Sequence, residues 1–253
     1  MGAAAVELAP YPKVFSGAEG VEVVLAPTAD AKAALYRISG VNHPVDKVVF
    51  LGQLQRWGGG TDAYVTTFDG RDSGMVQKKA SGYGGGDRYV AYLPGRKQEI
   101  DLMYDEKRSK ALKSSELQAA YDRQVEQGVQ AKLAGFDRVK HVTENREKLA
   151  ARDKDASASC GVPVRTSVDW PAIDDDKLKR LSVHSFCGAV AAGMGRMCAD
   201  NAAFKPKAAS FGQISCQFGP EMKARVVDRK IVFTTEENAP NQDDFIREFL
   251  RNQ

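Results

Sequence analysis

The chain has 253 residues, of which 43% are hydrophobic and 27% charged, a composition that suits one large or two modest globular domains and excludes a mainly disordered chain. Its 36 basic and 33 acidic residues are interspersed and leave a formal net charge of +3, so no electrostatic footprint for nucleic acid exists. No run approaches the roughly 18 consecutive apolar residues of a membrane helix, and the apolar stretch beginning at Phe186 is interrupted by Gly188, Gly193 and Gly195.

The amino terminus, Met1-Gly2-Ala3-Ala4-Ala5-Val6-Glu7, lacks the basic start and apolar segment of an export signal, while the run Ala3 to Ala5 is of the kind found near a cleavage site. A removed signal peptide is the expectation. From Val21 the text falls into short β-like runs separated by turn residues: Val21 to Leu25, Ala34 to Ile38, Lys47 to Leu51, Ala63 to Phe68, Met75 to Lys79, Tyr89 to Leu93 and Glu99 to Tyr104. Such dense strands predict an antiparallel sandwich or barrel. The last pair reads as a hairpin, because Pro94-Gly95-Arg96-Lys97 carries turn chemistry and Ile100, Leu102 and Tyr104 alternate with polar neighbours.

After Ser114 the period changes, with Leu117, Tyr121, Val125, Val129, Leu133, Phe136 and Val139 recurring every three or four residues. This predicts an amphipathic helix opened by a Ser115/Gln118 capping box, with Gly128 and Gly135 as points of bending. The charged tail Glu144 to Asp155 ends in Ala156-Ser157-Ala158-Ser159, which has the composition of a flexible linker. Beyond it, Val162 to Trp170 reads as a strand, and Asp174 to Lys179 as a helical turn whose acids favour its amino end. Val183, Phe186, Cys187, Val190, Ala191, Met194, Met197 and Cys198 follow the spacing of one buried helix face. Phe211 to Phe218, Met222 to Val227 and Ile231 to Thr235 predict a three-stranded meander, and a closing helix capped by Asn241 turns Phe245, Ile246, Phe249 and Leu250 inward. The expected whole is an α+β chain: a β-rich domain over 1–108, a helical connector over 109–157 and a disulfide-bonded α+β domain over 158–253.

Cys160, Cys187, Cys198 and Cys216 are the chain's only cysteines, and all lie in its last hundred residues. That clustering predicts a disulfide-stapled, exported module. On one continuous helix Cys187 and Cys198 stand about 16 Å apart, too far to bond each other. Each therefore pairs with Cys160 or Cys216, and two pairings remain open, each bridge worth about 2 to 4 kcal/mol. A zinc site on His184 and Cys187 lacks paired C-x2-C knuckles, and a nucleophilic Cys187 is disfavoured by its apolar neighbours. No metal or cofactor is expected.

Trp57-Gly58-Gly59-Gly60 and Tyr83-Gly84-Gly85-Gly86 repeat one design, an aromatic residue and three glycines leading into a strand. Either they are two permissive hairpin loops, or they share a rim that grips a ligand through Trp57, Tyr83 and Arg88. Neither is a phosphate loop, because no lysine and hydroxyl residue follow the last glycine. Asp69-Gly70 is a turn signal, and Asp174-Asp175-Asp176 lacks the spacing of a calcium loop. His43, His141 and His184 are the only histidines and have no serine or acid partner in a recognised motif.

The pattern points to a periplasmic or secreted, non-catalytic binding protein of the bacterial envelope, whose expected partners are an envelope protein or a cell-wall glycan. Two other classes compete. A hydrolase would join His184 or His43 to a carboxylate and a serine in one cleft, and an assembly component would use the helix from Ser115 to Lys148 as an intermolecular seam.

Overall fold

A computed structural model describes residues 7–80, 86–96 and 98–253, which divide into two compact units, Met1–Phe136 and Asp137–Gln253. The first unit is an antiparallel barrel of β1 (Lys13–Gly17), β2 (Glu22–Pro27), β3 (Ala33–Ser39), β4 (Val49–Trp57), β5 (Thr61–Phe68), β6 (Arg71–Lys79), β7 (Arg88–Ala91) and β8 (Ile100–Tyr104). Each strand pairs with the next, and β8 returns to β1 to close the ring. Strand β1 is absent from the sequence expectation. Its adjacent Val14 and Phe15 are both buried, Phe15 in the barrel interior and Val14 in a separate cluster on the opposite face, so the strand shows no apolar–polar alternation.

Alternation along the other strands sends Val23, Leu25, Tyr36, Ile38 and Phe50 inward, where all are essentially inaccessible. Closing the sheet thus yields a filled apolar core. Between β5 and β6, Asp69 (φ 51°) and Gly70 (φ 69°) form the two-residue left-handed turn that matches strand twist.

The amphipathic pattern after Ser114 is realised as three helices, not one: α1 (Glu106–Ala111) precedes it, then come α2 (Ser114–Glu126) and α3 (Val129–Ala134), with the third, α4 (Arg138–Cys160), opening the second unit. Gly128 adopts φ 70°, which ends α2 and starts α3. The expected capping box does not form, because the N-cap is Lys113, two residues before Ser115, and Gln118 donates instead to Asp122 at 2.8 Å. Leu117 of α2 packs with Val14, Val24, Leu35 and Val49 on the outside of the barrel. Val129 and Leu133 of α3 pack against the interior cluster, and the amides of Asp69 and Gly70 donate to the carbonyls of Leu133 (2.7 Å) and Ala134 (2.9 Å). Helix α3 is therefore a plug at one end of the barrel.

In the second unit, α4 runs through the segment expected to be a linker. Asn145, Leu149, Ala156 and Cys160 are its buried residues, a stripe at helical spacing that charge counting obscures. The Ala-Ser-Ala-Ser sequence serves close packing: a Cβ at Gly195 would stand 3.2 Å from the Ala156 Cα. Ser157 and Ser159 return their hydroxyls to the carbonyls of Asp153 (2.6 Å) and Asp155 (3.1 Å), and Gly161, at φ 73°, ends the helix.

The remaining elements are β9 (Arg165–Val168), α5 (Asp175–Arg180), α6 (Val183–Cys187), α7 (Ala189–Asp200), α8 (Lys205–Ser210), β10 (Gln213–Phe218), β11 (Lys223–Val227), β12 (Lys230–Thr235) and α9 (Gln242–Arg251). Asp174 caps α5, accepting from the Lys177 amide at 2.7 Å, which accounts for the acid run. The single helix expected over residues 183–198 is divided at Gly188 into α6 and α7, so the two cysteines do not share one straight axis. The expected meander is also corrected: the sheet order is β11-β12-β10-β9, with β10 parallel to both β9 and β12. Burial decides that order. Ile214, Cys216, Ile231 and Phe233 are buried, whereas β11 carries Lys223 and Arg225 and is largely exposed, so β12 enters the centre and β11 takes the edge.

Candidate functional site at one end of the barrel

Because the strands run up and down, the β4–β5 and β6–β7 connections leave the barrel at the same end, opposite the α3 plug. At the plugged end Val41, Val45, Val48 and Phe68 complete an apolar seal. At the other end, the inward parity of Tyr64 and Val76 passes to polar residues. The cross-strand neighbours there are Arg56, Asp62, Lys78, Tyr89 and Leu102 in sequence around β4 to β8, while Phe15 of β1 faces Tyr104 of β8.

These charges are mostly matched. Arg56 Nε lies 3.2 Å from Asp62 Oδ1, and Lys78 Nζ lies 2.8 Å from Asp87 Oδ2. The hydrogen bond it donates to Asp87 raises the pKa of the Lys78 ammonium above its ordinary value, fixing its charge. Deeper in, burial pushes the Tyr64 phenol up to about 12, assisted by Tyr89 and Asp62.

The next row faces outward and holds Trp57, Thr61, Lys79 and Arg88 on four consecutive strands. Two of the three rim residues expected from sequence thus fall on one row; Tyr83 lies outside the described residues. Trp57 lays the outer edge of its ring over Gly74 of the barrel wall yet stays 39% exposed, enough for one ring face to meet a ligand. Arg88 is committed to its neighbours: Nη1 binds Asp101 at 2.7 Å and Nη2 binds Glu99. Glu99 also receives Lys79 at 2.5 Å and the Tyr92 hydroxyl. Hydrogen bonds from Lys79 and Tyr92, joined by Arg88, hold the Glu99 carboxyl down to about 2. The rim is therefore a fixed lattice of aromatic and paired charged groups.

Lys13, Phe15, Tyr89 and Tyr104 belong to this end and were missed in the sequence. The available signal was parity: in β5 and β6, Asp62 and Lys78 sit two residues from the inward Tyr64 and Val76.

The histidines take other roles. His43 Nδ1 accepts from the Val45 amide at 3.3 Å at the plugged end, its ring 5.6 Å from Phe68. His184 sits in the second unit with Nδ1 3.0 Å from Asn145 Oδ1 and Nε2 3.4 Å from Ser185 Oγ. Burial, with Lys148 and Arg152 nearby, lowers its pKa and favours the neutral ring. Its orienting partner is thus an amide and not the carboxylate a hydrolase was expected to supply. The segment expected to form the seam of an assembly component is broken at Gly128, and its Leu117 is buried within the first unit.

All four cysteines are bonded, Cys160 to Cys198 and Cys187 to Cys216. The first bridge joins the ends of α4 and α7; the second joins α6 to the central strand β10. Two disulfides fit an oxidising, extracytoplasmic compartment. Among the described residues, no helix is long and apolar enough to cross a membrane. No protein family, no curated protein and no solved structure matches the chain.

Proposed function

We propose that this chain is an exported, non-catalytic binding protein of the bacterial cell envelope, periplasmic or secreted, which grips a cell-wall glycan at the polar end of its barrel. The observation that carries the reading is the contrast between the two barrel ends: one sealed by apolar side chains and α3, the other ringed by an exposed indole and paired charges. A sugar ring presents an apolar C–H face and a rim of hydroxyls. The Trp57 ring suits the face, and the Glu99, Asp101, Arg88 and Lys79 groups suit the hydroxyls, fixed in place before binding at low entropic cost.

The test is co-sedimentation with purified peptidoglycan sacculi. Wild type pellets with the sacculi, and Trp57→Ala combined with Tyr83→Ala abolishes pelleting while the circular dichroism spectrum is retained. Sacculi left unbound by wild type, with cross-linking to one defined envelope protein instead, would replace the glycan by a protein partner. Unchanged pelleting of the double variant would remove Trp57 and Tyr83 from the site.

A further inference from the structure

Inside the rim, an open cavity of about 250 Å³ is lined by Lys13, Phe15, Asp87, Tyr89, Leu102 and Tyr104, along strands β1, β7 and β8. Neither Trp57 nor Arg88 contributes to it. We propose that this cavity binds a small, flat, singly anionic ring compound of the aromatic carboxylate class.

Three aromatic rings make the walls. Phe15 and Tyr89 have centroids 4.6 Å apart at 34°, and Tyr104 meets Phe15 edge-on at 5.8 Å. Such tilted walls offer both faces and edges to a planar ring. The volume lies below the roughly 300–1,000 Å³ of drug-sized sites, which limits the occupant to about one ring and its substituent.

Charge selects the substituent. Asp87 is met by Lys78 at 2.8 Å, so its carboxylate is neutralised. Lys13 has no ion pair among the described residues; its ammonium donates only to the Tyr89 hydroxyl, at 3.4 Å, and stands 5.6 Å from that ring's centre. The cavity therefore carries one uncompensated positive charge. Because Tyr89 accepts from Lys13, its own hydroxyl proton remains to be donated. An ammonium and a phenol proton thus converge where a carboxylate would sit, and a charge-assisted hydrogen bond there is stronger than a neutral one.

Benzoate, benzamide and benzylammonium are the probes, followed by amide NMR shifts and calorimetry. Benzoate is expected to bind saturably, with shifts centred on residues 13–15, 87–89 and 102–104, while benzamide and benzylammonium bind at least about tenfold more weakly, the loss expected for one charge-assisted contact. Lys13→Met should weaken benzoate by a similar factor without altering the melting temperature, Lys13→Arg should restore it, and Trp57→Ala should leave it unchanged. Absence of saturable benzoate binding, equal affinity for the three probes, or an unaltered Lys13→Met variant would overturn the assignment. Loss of benzoate binding in Trp57→Ala would merge the cavity with the rim and overturn its independence.

Discussion

Gly74 lies directly beneath the Trp57 ring: a Cβ built at this glycine would stand 2.6 Å from the outer edge of the indole and 3.0 Å from the Ala63 Cβ. One strand separates the residues in the sheet, so the tryptophan reaches across β5 to rest on β6. The glycine is a seat for the ring, and the ring in turn covers backbone that would otherwise meet water.

Gly74→Ala is accordingly expected to lift the indole off the wall. The ring is the far end of a side chain and can yield, but the Ala63 Cβ cannot, so the cost should be about 1–3 kcal/mol, as for other overpacked sites. Trp57 emission should shift to the red. A variant with native stability and unshifted emission would show that the ring is not seated there, and would weaken the pre-organised rim on which sugar binding is proposed.

In the second unit, Asp153 and Thr166 form a comparable pair. The Thr166 amide donates to Oδ2 and its hydroxyl to Oδ1, each at 2.7 Å, tying α4 to β9. Burial nevertheless wins over these bonds and raises the Asp153 pKa above its ordinary 3.8. An acid whose folded pKa is raised holds its proton more tightly when folded, so its contribution to stability is complete below the unfolded value and declines as pH rises through the folded one. Asp153→Asn removes that titration. Urea midpoints at about pH 3 and about pH 7 should therefore show wild type losing stability relative to Asp153→Asn as pH rises. Asp153→Ala, which strands the Thr166 amide, should cost about 1–3 kcal/mol. A wild type that gains on Asp153→Asn between the two pH values would reverse the assigned shift.

The pieces legible in the sequence were those where periodicity and burial agree. Seven strands read as short β-like runs between turn residues, Asp69-Gly70 announced its turn, and Ile246 and Leu250 marked the inner face of the last helix. What failed was decided by packing between distant segments. Residues 156–159 have linker composition, yet their small side chains are what lets α4 approach Gly195. The order of β10, β11 and β12 depends on which strand is most buried, and turn residues carry no information about that. The rim row of Trp57 and Arg88 was half visible, through the repeated glycine runs; the inner ring of Lys13, Tyr89 and Tyr104 emerges only when β8 closes onto β1.

Disulfide pairing is the sharpest quantity that the sequence left open, and the structure fixes it. Splitting the helix at Gly188 sends Cys187 toward Cys216 on β10, while Cys198, a full helix away, reaches Cys160 at the end of α4. Peptide mapping of protein alkylated under denaturing conditions without reductant should find no modified thiol, and linked peptides joining Cys160 to Cys198 and Cys187 to Cys216. The bridges close segments with sequence separations of 38 and 29 residues. In the chain-entropy account each should contribute about 3.5–4 kcal/mol. Reduction should therefore lower the melting temperature of the second unit strongly, and Cys160→Ala with Cys198→Ala should do so by about half as much. Links between Cys160 and Cys187 would mean that α6 and α7 are arranged otherwise, and four alkylated thiols would remove the case for an oxidising compartment.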